Sequence, residues 1–282
     1  MVKRFISLLL FLFTASAPAA EPVKPEVDKL IDPDTQEAEI RRVLALPEAE
    51  TLTSYRLHWS PQLKGAPPLI VLAANSQSDT TPAAPLPGSS LTPIDEDHEA
   101  GKIPGLSRPR LAPLAGAKVR VFDREGNTPD AWKRLPPLIE GHLCDFNNDD
   151  TLDLACIETK AVQVEGRAYH LSYATVTTIE AEPRILTRIA FDCRPDDPAP
   201  ADAWTLTCDQ WNQEGVPVLS FGPSNARTDR ERRQFLVHWD PAKKDFTILQ
   251  APDDETSRRH LHLLAPAEPL EKTAAQLSKK GR

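Results

Sequence analysis

The stretch LDLACIETKAVQVEGRAYHLSYATVTTI, residues 152–179, decides the fold. It divides into short runs, LDLACIE, AVQVEG and AYHLSYATVTTI, rich in β-branched and aromatic residues and bounded by turn-forming ones. Such side chains pack well on a pleated surface, so each run reads as a strand. The same texture extends outward in both directions. TLTSYRLHW, PPLIVLAA and AKVRVFD precede it, and RILTRIAF, WTLTC, VPVLSF, RQFLVHW and DFTILQ follow it. No long amphipathic helix interrupts them. Many short strands at this spacing predict a mainly β domain over residues 51–250, multi-stranded and antiparallel, propeller-like or, as the alternative, a β-sandwich.

The flanks have a different character. Residues 1–20, MVKRFISLLLFLFTASAPAA, place Lys3 and Arg4 before an apolar run and end in the small-x-small pattern Ala17-Pro18-Ala19, which predicts a signal peptide and an exported chain, periplasmic or secreted. No cysteine stands near the cleavage site to carry a lipid. The apolar run is shorter than the roughly 20 residues of a membrane-spanning helix, and no later stretch approaches that length. Residues 21–50 read as a linker and a short helix. In DTQEAEIRRVLALPE, Asp34 or Thr35 caps the start, Ile40, Val43 and Leu44 share a face, and Pro47 ends it. Residues 75–113 form a proline-rich excursion without apolar periodicity. Residues 251–282 form a polar C-terminal tail, in which LEKTAAQLSKKGR is either a short helix or a frayed end.

The 282-residue chain carries a formal net charge of −8, more negative once Lys3 and Arg4 leave with the leader. That balance argues against nucleic acid or an anionic membrane as partner and suits cations. Four cysteines, Cys144, Cys156, Cys193 and Cys208, are an even number in an exported chain, so disulfides are expected. Pairing 144 with 156 and 193 with 208 closes the shortest loops and costs the least chain entropy.

One loop concentrates the charge. In HLCDFNNDDTLDLAC, residues 142–156, four carboxylates and two carboxamides fall within nine residues. Calcium takes six to eight oxygen ligands, and alternate positions of a short loop supply them readily. Asp145, Asn147 and Asp149 occupy positions one, three and five, Thr151 offers its carbonyl at seven, and Asp153 returns at nine. An EF-hand would need Glu at position twelve, which is Cys156, and helical flanks, where these are strand-like. Zinc would call for His or Cys in a geometry this loop lacks, and magnesium keeps its waters. The remaining readings are a calcium loop in a β-hairpin and a solvated acidic turn.

The pattern Asp145-x-Asn147-x-Asp149-Asp150-x-x-Asp153-Leu154, between two apolar strands, resembles the calcium loop of FG-GAP/VCBS repeats, the blades of integrin-type β-propellers. The resemblance covers residues 135–157. It implies a propeller blade that binds Ca2+ through Asp145, Asn147, Asp149, Thr151 and Asp153. Asp150 departs from the family's usual glycine, where the chain turns through positive φ, and Asp enters that region more readily than most residues. Asp123-Arg-Glu-Gly-Asn-Thr-Pro-Asp130 is at most a degenerate relative. A second echo joins YRLHWSPQLK, residues 55–64, to FLVHWDPAKK, residues 235–244, each a strand entering a proline turn, the second continuing into DFTIL as a hairpin. That copy resembles the strand-turn-strand segment of propeller blades.

Other constellations point less far. His260 and His262 lie on one face of an extended RRHLHLL but lack acidic companions. His58 and His238 precede tryptophans and pack at strand ends. Trp132, Trp204, Trp211 and Trp239 suit a core better than a glycan-binding surface. G-x-S-x-G and phosphate-cradling glycine loops are absent from the sequence. Two functions remain. The first is a non-enzymatic, calcium-binding module of the envelope or cell exterior with a protein or glycan partner. The alternative is a secreted hydrolase or carbohydrate-active enzyme with a structural calcium.

Overall fold

The computed structural model describes residues 23–59, 69–77, 92–93, 114–135, 138–149, 151–195, 204–212, 216–223, 235–250, 262–264 and 269–280. The expected leader lies outside them, as does most of the proline-rich excursion.

Two short helices open the described chain, α1 (Val27–Ile31) and α2 (Gln36–Val43). Ile40 and Val43 of α2 are buried together with Leu44 and with Leu30 of α1. Thr35 stands at the N-cap of α2, but no side chain caps it; its hydroxyl donates instead to the carbonyl of Lys29 at 3.0 Å. Glu39, also buried, accepts from the Glu26 N–H and pairs with Arg42, which ties the two helices.

Thirteen strands follow among the described residues: β1 (Thr51–Trp59), β2 (Ile70–Gln77), β3 (Thr92–Pro93), β4 (Leu114–Phe122), β5 (Ile139–Cys144), β6 (Asp153–Val164), β7 (Arg167–Thr178), β8 (Ile185–Pro195), β9 (Trp204–Trp211), β10 (Pro217–Pro223), β11 (Phe235–Asp240), β12 (Asp245–Gln250) and β13 (His262–Leu264). A C-terminal helix, α3 (Leu270–Lys280), completes the described elements. The strands form an eight-stranded sheet in the order β1-β2-β4-β5-β6-β7-β8-β13 and a five-stranded sheet in the order β12-β11-β10-β9-β3. Every pairing is antiparallel, so the protein is mainly β in antiparallel sheets with few helices. The described strands do not close a ring of blades.

Turn chemistry sets the registers. Glu165 and Gly166, at φ +52° and +76°, make the two-residue turn between β6 and β7, the geometry whose twist matches a tight hairpin. Between β11 and β12, Asp240 Oδ1 accepts from the N–H groups of Ala242 and Lys243, and Lys244 takes φ +52°. This is the hairpin expected for FLVHWDPAKKDF. Its partner in the echo, β1, is the edge of the large sheet, and the stretch after Trp59 lies outside the described residues.

The register also sorts the core. Leu72 faces Arg120, Lys118 faces Glu140, and Cys144 faces Asp153, so Leu72, His142, Cys144 and Ala155 lie on one side of the large sheet. On that side, α1 and α2 cover Ile70, Leu72 and Phe122, while Ala155, Val176 and Phe191 share a cluster with Leu219, Phe221 and Phe235 of the small sheet. On the other side, Trp132 lies with Val71, Val119 and Leu154, and α3 lies on Val162, Leu171 and Tyr173. Residues 251–282 therefore contribute a strand and a helix to the fold. Of the 75–113 stretch, Asn75–Gln77 extend β2 and Thr92 and Pro93 pair with β9.

No helix among the described residues is long and apolar enough to cross a membrane.

Candidate metal loop

The acidic stretch is the hairpin loop between β5 and β6. Cys144 and Asp153 form the last rung, and residues 145–149, 151 and 152 lie beyond it. Asp145 leaves β5 half-buried, Asn147 and Thr151 are half-buried, Asp149 is exposed, and Asp153 is fully buried as the first residue of β6.

Side-chain oxygens shape this loop. The Asp149 N–H donates to Asp145 Oδ1 at 3.1 Å and to Asn147 Oδ1 at 3.2 Å, and the Thr151 N–H donates to Asp149 Oδ1 at 2.9 Å. Asn147 Nδ2 donates to Asp149 Oδ2 at 2.9 Å. The oxygens at positions one, three and five thus turn onto the loop's own backbone, as short polar side chains do in tight turns. Asn148 carries the left-handed conformation, at φ +61°, two residues before Asp150. Asp150 itself lies outside the described residues.

Asp153 sets this loop apart from a solvated turn. Its Oδ2 accepts from the Phe146 N–H at 2.9 Å, and Phe146 is itself wholly buried as the apolar anchor of the loop. Asp153 Oδ1 is buried without a hydrogen-bond partner. Burial, together with the charges of Asp149 and Asp145, pushes its carboxyl up to about 8 against backbone hydrogen bonds that work the other way. Among the described residues, the charges acting on this carboxyl are those of Asp149 and Asp145, and a bound cation would offset them. Among the described residues, no three His, Cys, Asp or Glu side chains are gathered as a ready metal cluster.

No family model, curated protein or solved structure matches the chain. The likeness to FG-GAP/VCBS repeats therefore stands on the loop residues alone. The Asp123–Asp130 stretch forms an Asx-closed turn, in which the Asn127 N–H donates to Asp123 Oδ1 at 2.8 Å and Gly126 takes φ +79°.

The neighbouring thiols do not form the short-loop disulfides. None of the four cysteines is in a disulfide. Cys144 sits opposite Asp153 and in the cluster shared with the small sheet, whereas Cys156 points to the other side of the large sheet, among Leu143 and Leu154. Cys193 packs beneath α3, where its Sγ approaches the carbonyl of Ala274 at 3.7 Å, and Cys208 lies in the cluster between the sheets. In each expected pair, the large sheet separates the partners. Burial pushes the Cys156 thiol up to about 12, with Glu158 adding to it.

Other candidates resolve structurally. Trp132 is buried and its Nε1–H donates to the carbonyl of Glu180 at 2.9 Å, and Trp239 packs edge-on against Phe246. Trp204 and Trp211 are the two end residues of β9. Asn212 Nδ2 lies 2.9 Å from His238 Nδ1 at the small sheet's rim. His58 is held below its usual range by burial and by Arg56. His262 pairs across to Ala190, and His260 falls outside the described residues.

Two polar constellations have no signal in the sequence. Glu158 accepts from Thr175 Oγ1 at 2.6 Å and from the Tyr173 hydroxyl at 3.1 Å, and burial together with that carboxylate pushes Tyr173 up to about 12. His142 bridges to the small sheet. Its Nδ1 accepts from the Gly116 N–H at 3.1 Å, which assigns the proton to Nε2, and Nε2–H donates to the carbonyl of Leu206 at 2.8 Å.

Proposed function

We propose that this chain is an exported calcium-binding β-protein, a non-enzymatic binding or envelope module whose acidic hairpin loop holds the ion. The observation that carries the reading is Asp153. A buried carboxyl with one oxygen lacking a partner, in the field of Asp145 and Asp149, is a poor arrangement for a solvated turn and a suitable floor for a dication. Asp145, Asn147, Asp149 and Asp153 with the Thr151 carbonyl would hold it. Calcium bound there supplies positive charge and fixed oxygen coordination. The residues do the rest: Phe146 anchors the loop in the core, Asp153 fixes its return to β6, and the Cys144–Asp153 rung sets its width.

Of the two expected architectures, we favour a two-sheet sandwich over a propeller, supported by the core cluster that both sheets share. The leader sequence supports export. For a partner, a protein or a glycan fits the exposed Tyr55 and Trp59 on edge strand β1, where Arg124 lies 5.7 Å over the indole ring.

Thermal melts in calcium and in chelator test the loop, alongside calorimetric titration of calcium. A free ion at one hundred times its dissociation constant stabilises by about 2.7 kcal/mol, so calcium is expected to raise the midpoint by several degrees. Asp153→Asn keeps an acceptor for the Phe146 N–H but removes the charge; it is expected to stay folded and lose the calcium response. An unchanged midpoint with no heat of binding in the wild-type chain would remove the calcium reading.

A further inference from the structure

The two expected disulfides are each divided by the large sheet, yet the cysteines re-sort into another pair. Cys144 and Cys208 are both buried in the cluster between the two sheets, one from each sheet. His142 and Cys144 lie two residues apart on one face of β5, and Leu206 and Cys208 two residues apart on β9. The first members already touch, through the 2.8 Å hydrogen bond from His142 Nε2 to the Leu206 carbonyl. One step of two residues along each strand leads to the two thiols. Their electrostatic coupling agrees: after burial itself, Cys208 is the strongest influence holding the Cys144 thiol well above its usual range, ahead even of adjacent Asp145.

We propose that Cys144 and Cys208 form an inter-sheet disulfide that staples β5, the strand feeding the acidic loop, to β9. Disulfides that link facing sheets across a core are a known way of fixing two-sheet β domains. The reaction is thiol–disulfide exchange with a disulfide oxidant, of low molecular weight or protein-borne. The thiolate of one cysteine attacks the oxidant's sulfur to give a mixed disulfide and release one thiol. The second cysteine then attacks the mixed disulfide, forming the 144–208 bond and releasing the other thiol. The chain loses two protons and two electrons, and the oxidant gains both. Because both thiols are inaccessible in the closed core, the exchange belongs to folding and precedes closure of the sheets. Cys156 and Cys193, packed on the far side, remain thiols.

Export explains where an oxidant is met, but the pairing rests on the sheets alone, and the test separates the two. The full chain is unfolded, reduced and refolded in a glutathione redox couple. Remaining thiols are then blocked with N-ethylmaleimide in denaturant, and the protein is digested without reduction and mapped by mass spectrometry. The expected result is a linked peptide pair containing Cys144 and Cys208, lighter by two hydrogen atoms than the reduced pair, with blocked Cys156 and Cys193. A Cys156→Ser, Cys193→Ser double variant is expected to keep the link. Four blocked thiols in the refolded chain, or a link through any other pair, would overturn the proposal. The pairing needs no calcium, so the same map is expected in chelator.

Discussion

His142 shows how one residue serves two elements at once. Both ring nitrogens are used, one as acceptor from Gly116 and one as donor to Leu206, and only the neutral ring can do both. Burial lowers its pKa to about 4 despite the favourable contact with the Leu206 carbonyl. With the folded value below the unfolded one, the unfolded chain binds more protons at this ring between these limits, so the contribution of His142 to stability is complete above about 6.5 and falls as pH drops towards 4. The displacement corresponds to about 3 kcal/mol. Asp153, with its carboxyl raised to about 8, acts with the opposite sign in the same range, so the loss is read as the difference between denaturant titrations of the wild-type chain and of His142→Gln, whose amide can serve both partners without titrating. In the sequence, His142 is merely the edge of an acidic loop, because its partner is a carbonyl far along the chain. Asp153 has the same history. Its place in the alternation of oxygens was legible, but its burial was not, because burial depends on Phe146 turning inward.

Among the elements, those with a strong period were readable and those without one were not. β1 runs from Thr51 to Trp59 and β12 from Asp245 to Gln250, the bounds their runs suggest. LDLACIE and AVQVEG merge into the single strand β6, since Thr159 and Lys160 between them sit on an exposed stretch of an extended hairpin. β3 and β13 are two and three residues long, and pairing with β9 and β8 makes them strands. No local period can announce such short pieces. The C-terminal helix α3 is an intermediate case. Leu270, Ala274 and Leu277 recur on one face, but only the large sheet tells a packed helix from a frayed end. Leu277→Ala is expected to cost about 2 to 4 kcal/mol, as buried leucine truncations do. Because α3 lies across the sheet from the cluster shared with β9–β12, the calcium response is expected to survive that change. Urea unfolding with and without calcium checks both parts, and a calcium response that vanished with Leu277 would show that the two sides are coupled.

At the scale of the molecule, the question is whether two sheets make one cooperative body. Apart from β3 and β13, each is a meander of neighbouring strands, and a meander alone leaves one face of each sheet unsatisfied. The shared cluster removes that face, with Phe191 of β8 and Phe221 of β10 at a ring separation of 5.7 Å and a tilt of 40°. β13 then returns from beyond the small sheet to pair with β8, so the chain crosses between the sheets and comes back. A separate unfolding of either sheet would expose the shared cluster on both, at a cost that grows with the apolar area uncovered. Cooperativity is therefore expected, and the aromatic pair reports on it. In a double-mutant cycle with Phe191→Leu and Phe221→Leu followed by urea unfolding, the double variant is expected to lose about 0.5 to 1.5 kcal/mol less than the sum of the single losses. Additive losses, with two separable transitions, would mean that the sheets are held together by the chain between them rather than by their faces.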